Sequence, residues 1–247
     1  PVISIKAKKV NLSAGPLGGT EVAGTIDVSS NTKGGDIEIT GKEIQVKSNS
    51  KLLATGDTGG GNILVGGDWQ GSNGILQATY TTVEKDSLID VSSLGVGDGG
   101  KIVVWSDVNN FNSKTIANGN LYAKANIGNG GNIETSGYTI DIENVNPNTI
   151  ATHGQAGNYL IDPYNYEISS SEWSNINTAL SSSNITITTA GTDYGTDYGR
   201  GNVGSGRIVF ERNNFSYTGT RAALLTLTAD NNVEIRSNIT ATNAALS

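Results

Sequence analysis

The chain has 247 residues, a formal net charge of −7 and 33 glycines, but only 4 prolines and no cysteine. Its glycine content is far below the roughly one residue in three of collagen, and its frequent short apolar runs exclude a chain that is disordered throughout. The absence of cysteine excludes disulfides, thiol catalysis and thiolate metal sites, and an acidic chain with dispersed Lys and Arg lacks the basic face that nucleic acid requires.

Short β-strands are predicted from the start of the chain. Apolar residues alternate with polar ones at Ile3 and Ile5, and again at Ile37 and Ile39, which indicates strands with one buried face. Gly, Asn, Asp and Ser separate these stretches, and they are the residues that tight turns favour. Because no recurrent helical stretch lies between the strands, alternating βαβ units are disfavoured.

One sequence element recurs along the chain. Gly-Gly-x-Ile begins a strand four times, at Gly34, Gly60, Gly99 and Gly130. The block Ile-Asp-Val-Ser-Ser occurs at 26–30 and again at 89–93. Repetition of one strand-turn-strand unit favours a solenoid of stacked coils. A β-sandwich stays open as an alternative, because Asn118-Gly119 and Asn129-Gly130 have the composition of hairpin turns.

A short helix is predicted near residues 170–181. Ser169 and Glu172 have the spacing of a capping box. Three apolar residues then follow at helical intervals, namely Trp173, Ile176 and Leu180. We expect this helix to lie across the solenoid with Trp173 as its anchor. An irregular loop is the alternative, because Ser and Asn dominate the segment.

Three stretches resemble exoproteins of the filamentous-haemagglutinin type. They are GGKIVVWSD at 99–107, GNGGNIETSG at 128–137 and GNYLIDPY at 157–164. In this order they are similar to a Gly-Gly-x-hydrophobic-Trp-Ser-Asp strand, the strand that follows it and a Gly-x-Trp-Leu-Leu-Asp-Pro run. The likeness covers roughly residues 60–165. Asn132 and Tyr159 depart from the family pattern, which has an aromatic residue and a tryptophan at these positions.

The resemblance implies a right-handed parallel β-helix on a bacterial surface. The family includes high-molecular-weight adhesins, haemopexin-binding exoproteins and contact-dependent inhibition toxins, all exported by two-partner secretion. We therefore expect 1–247 to be one β-helix segment of a larger virulence-associated exoprotein that is secreted or associated with the outer membrane. Its parts would be regular coils at 1–168, a helical excursion at 169–182 and further coils at 183–247. The N-terminal secretion domain of the family is missing from the sequence, so we expect this piece not to be export-competent by itself.

The C-terminal third contains the most unusual local feature, an exact tandem Gly-Thr-Asp-Tyr within a Gly/Asp/Tyr loop at 191–199. Exposed tyrosine beside aspartate suits contact with a sugar or a protein, because the ring stacks while the carboxylate accepts hydrogen bonds. The candidate ligand-binding residues are Asp193, Tyr194, Asp197 and Tyr198. The alternative is a solvent loop that expanded by slippage. The arginines of this third are separated by acidic and polar residues, and we expect them to form a solvated surface.

Enzymatic chemistry finds little support in the sequence. His153 is the only histidine, and we interpret it as a turn residue rather than as part of a catalytic triad or a zinc site. The GxGxxG match at 95–100 precedes a strand instead of a helix, which argues against a dinucleotide cofactor. Adventitious calcium at Asp/Asn turns stays open.

We therefore predict a non-enzymatic adhesive segment without cofactor or metal. Its partners would be a host-cell receptor, a glycan or another surface protein, and the full-length protein would use an outer-membrane transporter. The alternatives are a carbohydrate-active β-helix enzyme with a spatial cluster of carboxylates and the shaft of a contact-dependent inhibition toxin.

Overall fold

The computed structural model describes residues 8–189 and 206–246, which form short strands and one α-helix. The strands of the first half are β1 (Lys9–Ser13), β2 (Gly19–Val22), β3 (Thr25–Asp27), β4 (Asp36–Thr40), β5 (Glu43–Val46), β6 (Lys51–Leu53), β7 (Asn62–Val65), β8 (Tyr80–Val83), β9 (Leu88–Asp90), β10 (Ser93–Val96), β11 (Lys101–Trp105), β12 (Lys114–Ala117), β13 (Asn120–Tyr122) and β14 (Ala125–Ile127). The remaining elements are β15 (Asn132–Gly137), β16 (Thr139–Asp141), β17 (Asn146–Asn148), β18 (Ala151–His153), β19 (Asn158–Pro163), β20 (Tyr166–Ile168), α1 (Ser170–Ala179), β21 (Asn184–Thr188), β22 (Arg207–Phe210), β23 (Phe215–Tyr217), β24 (Ala223–Thr228), β25 (Asn232–Ile235), β26 (Ile239–Ala241) and β27 (Ala244–Leu246).

The strands stack into six sheets whose strand pairs are all parallel within the described residues. The longest sheet has nine strands in the order β1-β4-β7-β11-β15-β19-β21-β24-β27. Two five-stranded sheets, β2-β5-β8-β12-β16 and β3-β6-β9-β13-β17, run beside it, and three smaller sheets are β10-β14-β18, β20-β22-β25 and β23-β26. Successive coils therefore lie on top of one another. The predicted all-β parallel β-helix is confirmed, and the sandwich alternative is wrong because it requires antiparallel pairs.

Aligned apolar columns form the interior of the stack. On the nine-stranded sheet, each inward residue is the register partner of the equivalent residue in the next coil. One such column consists of Val10, Ile37, Ile63, Ile102, Ile133, Tyr159, Ile185 and Leu225, all of them buried. At strand spacings of about 4.8 Å, nine strands span roughly 40 Å. The alternation read from the sequence thus becomes a continuous hydrophobic column along the axis.

The Gly-Gly pairs lie at the corner where each coil enters the nine-stranded sheet. A Cβ atom on Gly131 would lie 2.0 Å from the carbonyl oxygen of Gly100, one coil below, and a Cβ on Gly100 would lie 2.0 Å from that of Gly61. The first glycine of a pair is equally crowded, since a Cβ on Gly130 would lie 1.7 Å from the carbonyl oxygen of Thr149. Only glycine permits backbones to approach this closely, which explains the repeat.

Polar side chains also continue from coil to coil. Asn146 donates from Nδ2 to Oδ1 of Asn120 over 2.9 Å, as in the asparagine ladders of stacked strands. Tyr159 points into the core, and its hydroxyl lies 2.8 Å from Oγ1 of Thr135. The interior therefore holds a hydrogen-bonded polar pair that satisfies both hydroxyl groups.

The predicted helix is present as α1. Ser169 is the N-cap, and its Oγ accepts a hydrogen bond from the backbone N–H of Glu172. Trp173 is buried, with its ring 5.4 Å from that of Phe215 in an edge-on arrangement. The capping residue and the apolar spacing thus fixed the helix as expected.

The expectation that the arginines form a solvated surface is wrong for Arg221. This residue is half-buried beyond the end of α1, where its Nε donates to the carbonyl oxygen of Leu180 over 3.0 Å. Its Nη1 donates to Oδ1 of Asn184 over 3.1 Å, and its Nη2 donates to the carbonyl oxygen of Ser183. Arg221 therefore satisfies carbonyl groups where the helix joins β21.

Candidate functional site

The loop that the sequence singled out lies outside the described residues. Asp193, Tyr194, Asp197 and Tyr198 fall between residues 189 and 206, so their role as ligand-binding residues stays a prediction. The described part of the chain instead draws attention to the outer face of the nine-stranded sheet. Several outward side chains of this face are buried, which is unusual for a solvent-facing sheet surface.

A segment between β7 and β8, residues 66–78 and here called the strap, covers part of this outer face. It closes at its base, where the N–H of Ala78 donates to the carbonyl oxygen of Gly66 over 2.8 Å. A short 3-10 turn at Trp69–Gly71 lies in its middle. Val103, which points outward from β11, is completely buried. The strap thus forms a second layer over the coil.

Trp105, at the end of β11, provides the hydrophobic surface on which the strap packs. A Cβ on Gly67 would lie 2.4 Å from Cδ1 of the indole, and a Cβ on Gly71 would lie 3.0 Å from Cζ2. Two glycines therefore allow the strap backbone to lie against the ring. The indole Nε1 donates to Oε1 of Gln77 over 3.0 Å, so the polar edge of the ring is satisfied as well.

Glu134 is the most unusual acidic residue of this face, because it is completely buried on β15 beside Val103 of β11. The N–H of Gln70 donates to both carboxyl oxygens, over 3.1 and 3.0 Å. The hydroxyl of Ser136 donates to Oε1 over 2.8 Å. Burial raises the pKa of Glu134 to about 8, although the hydrogen bonds from Ser136 and Gln70 lower it. The side chain is therefore largely neutral at pH 7.

Asp162 on β19 is a second carboxyl group with a raised pKa. Its register partner is Ser136, two residues after Glu134 on the same outer face. Only 6% of Asp162 is exposed, and burial raises its pKa to about 7. The charge of Asp162 also adds to the rise in the pKa of Glu134. Asp162 therefore disfavours the ionised form of Glu134.

Asp68, in the strap, has the opposite electrostatic environment. Its Oδ1 accepts hydrogen bonds from Lys101 Nζ and from the N–H of Trp69, each over 2.7 Å, and its Oδ2 accepts one from Asn73 over 2.6 Å. Burial opposes ionisation, but the bonds from Lys101, Asn73 and Trp69 outweigh it and lower the pKa of Asp68. The strap is thus held by an ion pair to β11 and by a neutral carboxyl group on β15.

Pairs of carboxyl groups with raised pKa values are typical of acid–base chemistry. Here, however, Glu134 is sealed beneath the strap, and both of its oxygens already accept hydrogen bonds from the protein. The geometry supports an anchoring role, because a general acid must reach its substrate. Within residues 8–189 and 206–246, no three His, Asp or Glu side chains group in a way that could hold a metal ion.

The other sequence candidates occupy ordinary structural positions. His153 lies exposed in strand β18 rather than in a turn, with Nδ1 3.4 Å from the carbonyl oxygen of Asn126. The GxGxxG match at 95–100 leads into strand β11, as predicted, so it lacks the helix that a dinucleotide site needs.

Sequence reasoning missed Glu134, Asp162 and the ion pair of Asp68 with Lys101. An outward glutamate between two inward residues predicts an exposed side chain, and no local signal shows that residues 66–78 cover it. The one usable hint was the pair of glycines, Gly67 and Gly71, in a loop that is unusually long for this repeat.

Comparison with known proteins does not assign the chain to a family. Neither the known protein families nor the curated proteins contain a match to it. In the described residues, no helix has both the length and the apolar character that crossing a membrane requires.

Proposed function

We propose that this chain is a non-enzymatic structural segment of a secreted bacterial surface exoprotein, a rigid shaft that presents binding loops. The single observation that carries the proposal is the uninterrupted parallel register of the nine-stranded sheet. In such a stack every coil contacts its neighbours through backbone hydrogen bonds and apolar columns. The stack is therefore stiff along its axis, which is the property that a presenting shaft needs.

The residues of the resembling motifs support this proposal through what they contact. In the stretch 99–107, Gly100 permits the close corner, Trp105 carries the strap, and Asp107 accepts a hydrogen bond from the N–H of Asn109 over 3.0 Å. In the stretch 157–164, Tyr159 fills the core and Tyr164 stacks on Tyr138 with 4.4 Å between ring centroids. These motif residues all make contacts within the coils, their turns or the strap.

The proposed partners follow from the same role. A shaft on the cell surface would present its loops to a host-cell receptor, a glycan or another surface protein, and the full-length protein would leave the cell through an outer-membrane two-partner transporter. The alternative of a carbohydrate-active enzyme would need accessible carboxyl groups, whereas Glu134 and Asp162 are covered. The sealed environment of this pair therefore favours the structural role.

Surface labelling tests the proposal. Antibodies against the purified chain would be applied to intact and to permeabilised cells of the bacterium that encodes it, with an antibody against a cytosolic protein as control. We expect labelling of intact cells and its loss after external protease treatment. Labelling that requires permeabilisation would contradict the proposal. Release of reducing ends from a panel of polysaccharides by the purified chain would instead support the enzyme alternative.

A further inference from the structure

Two polar loops meet at one corner of the C-terminal coils. Residues 211–214 connect β22 to β23, and residues 236–238 connect β25 to β26. The parallel register stacks these loops, because Phe210 pairs with Ile235 on one side and Phe215 pairs with Ile239 on the other. The loop at 236–238 is one residue shorter than the loop at 211–214, so the two loops do not cover each other completely.

An open cleft of about 500 Å³ lies between the two loops. The described residues that line it are all polar or charged: Arg212, Asn213, Asn214, Arg236, Ser237 and Asn238. A volume of this size accommodates a few residues of a peptide or a small sugar. The cleft is thus a polar surface lined by two arginines.

The two arginines differ in how far the protein already satisfies them. Arg236 donates from Nη2 and Nε to Oε2 of Glu234, over 2.5 and 3.2 Å. Arg212 is exposed and forms no ion pair with any residue in the described ranges. Its guanidinium group therefore has donors available for a carboxylate, which arginine binds in a forked geometry.

The remaining lining groups suit a peptide backbone. The Oγ atom of Ser237 is buried and has no hydrogen-bond partner among the described residues, so it does not face a ligand directly. Asn238 donates from Nδ2 to Oδ1 of Asn214 over 3.3 Å, so each amide keeps further hydrogen-bonding capacity. Asparagine amides both donate and accept, as peptide groups do.

We propose that this cleft binds an acidic peptide segment of a partner protein. Arg212 would hold a carboxylate side chain and Arg236 would offer Nη1, which Glu234 leaves unused, while the asparagine amides would bind the backbone. The described residues of the lining include no aromatic ring, and this lack of a stacking surface favours a peptide over a sugar. The inference does not rest on the shaft function proposed above, because the cleft would bind such a segment in any setting.

Titration of the full chain with defined peptides, followed by NMR, tests this inference. The probe is the acetylated and amidated peptide Gly-Asp-Glu-Asp-Gly, and its uncharged counterpart is Gly-Asn-Gln-Asn-Gly. We expect shift changes centred on 211–214 and 236–238 for the acidic peptide alone. The double variant R212Q/R236Q should weaken binding by about tenfold or more.

A matched control separates the cleft from overall charge. The variant K42Q/K51Q removes two positive charges from exposed residues of the N-terminal coils, and we expect it to bind the acidic peptide as the parent does. Absence of binding, equal weakening in both double variants or equal binding of the uncharged peptide would overturn the inference. Binding of a heparin-derived disaccharide, without the peptide, through Arg212 and Arg236 would also overturn it. Circular dichroism would verify that each variant folds.

Discussion

The backbone N–H of Gln70 donates to both carboxyl oxygens of Glu134, a residue that lies 64 positions further along the chain. This contact joins the strap, which follows β7, to the outer face of β15, two strands further along the nine-stranded sheet. Because Glu134 is buried and its pKa is about 8, the contact is made at neutral pH mainly by an uncharged carboxyl group. The strap is thus a covering layer fixed by a specific polar anchor.

The anchor predicts different effects for two substitutions of Glu134. Glu134→Gln keeps an uncharged group that accepts the hydrogen bond of Gln70, so we expect a change of less than about 1 kcal/mol in the free energy of unfolding at pH 7. Glu134→Ala leaves the N–H of Gln70 and the hydroxyl of Ser136 buried without this partner, at a cost of about 2–4 kcal/mol. Chemical denaturation measures both, and equal effects would contradict the anchoring role.

The same residue predicts how stability depends on pH. The pKa of Glu134 rises from 4.5 to about 8 on folding and that of Asp162 from 3.8 to about 7. Between the unfolded and the folded pKa of each group, the folded state therefore binds more protons than the unfolded state. The free energy of unfolding consequently falls as pH rises from about 5 to 8. The slope has a ceiling of about 1.4 kcal/mol per pH unit for each group.

Thermal denaturation across this pH range provides the measurement. The double variant E134Q/D162N removes both titrations, and its midpoint should change less between pH 5 and 8 than that of the parent chain. The exposed substitution D57N serves as a control and should leave the parent profile unchanged. A parent midpoint that rises over this range, or a double variant with the parent profile, would contradict the raised pKa values of Glu134 and Asp162.

The glycine corner predicts a large position-dependent effect. A Cβ on Gly131 would lie 2.0 Å from the carbonyl oxygen of Gly100, whereas a Cβ on Gly24 would have no atom within 4 Å. Gly131→Ala should therefore destabilise the chain by several kcal/mol or prevent folding, while Gly24→Ala should be nearly neutral. Denaturation midpoints compare the two, and similar midpoints would show that close backbone contact does not explain the repeat.

The tandem loop predicts a binding phenotype without a folding phenotype. Replacing Asp193, Tyr194, Asp197 and Tyr198 by alanine should weaken binding to cells or isolated receptors while the β-type circular dichroism spectrum persists. Tyr80→Ala, at a tyrosine that is 44% exposed elsewhere on the surface, is the matched control. Unchanged binding of the quadruple variant would show that these four residues do not bind the partner.

The repeat allowed the fold to be predicted, because each Gly-Gly-x-Ile copy places one glycine corner and one inward isoleucine. Ile63, Ile102 and Ile133 form a column for that reason. The N-cap of α1 could be predicted for a similar reason, because Ser169 and Glu172 are only three residues apart in sequence. Such features depend on neighbours in sequence, and so they can be recognised without coordinates.

The covered face and the arginine cleft could not be predicted in the same way. Glu134 is buried by residues 66–78, and the loops of Arg212 and Arg236 lie beside each other only because β22 pairs with β25. Both depend on which coil lies beside which, and the burial of Glu134 also depends on how far residues 66–78 reach across the surface. The sequence shows that such insertions exist, but not where they pack.

The stacking of successive coils is the central claim, and engineered cysteines test it most directly because the chain has no cysteine of its own. Asn120 and Asn146 are register partners, whereas Asn148 pairs with Tyr122. Under mild oxidation we expect N120C/N146C to form an intramolecular disulfide rapidly, because neighbouring strands bring the Cα atoms within the range that a disulfide accepts. The shifted pair N120C/N148C should remain reduced for much longer. Equal rates for the two pairs, or faster oxidation of the shifted pair, would contradict the parallel in-register coil.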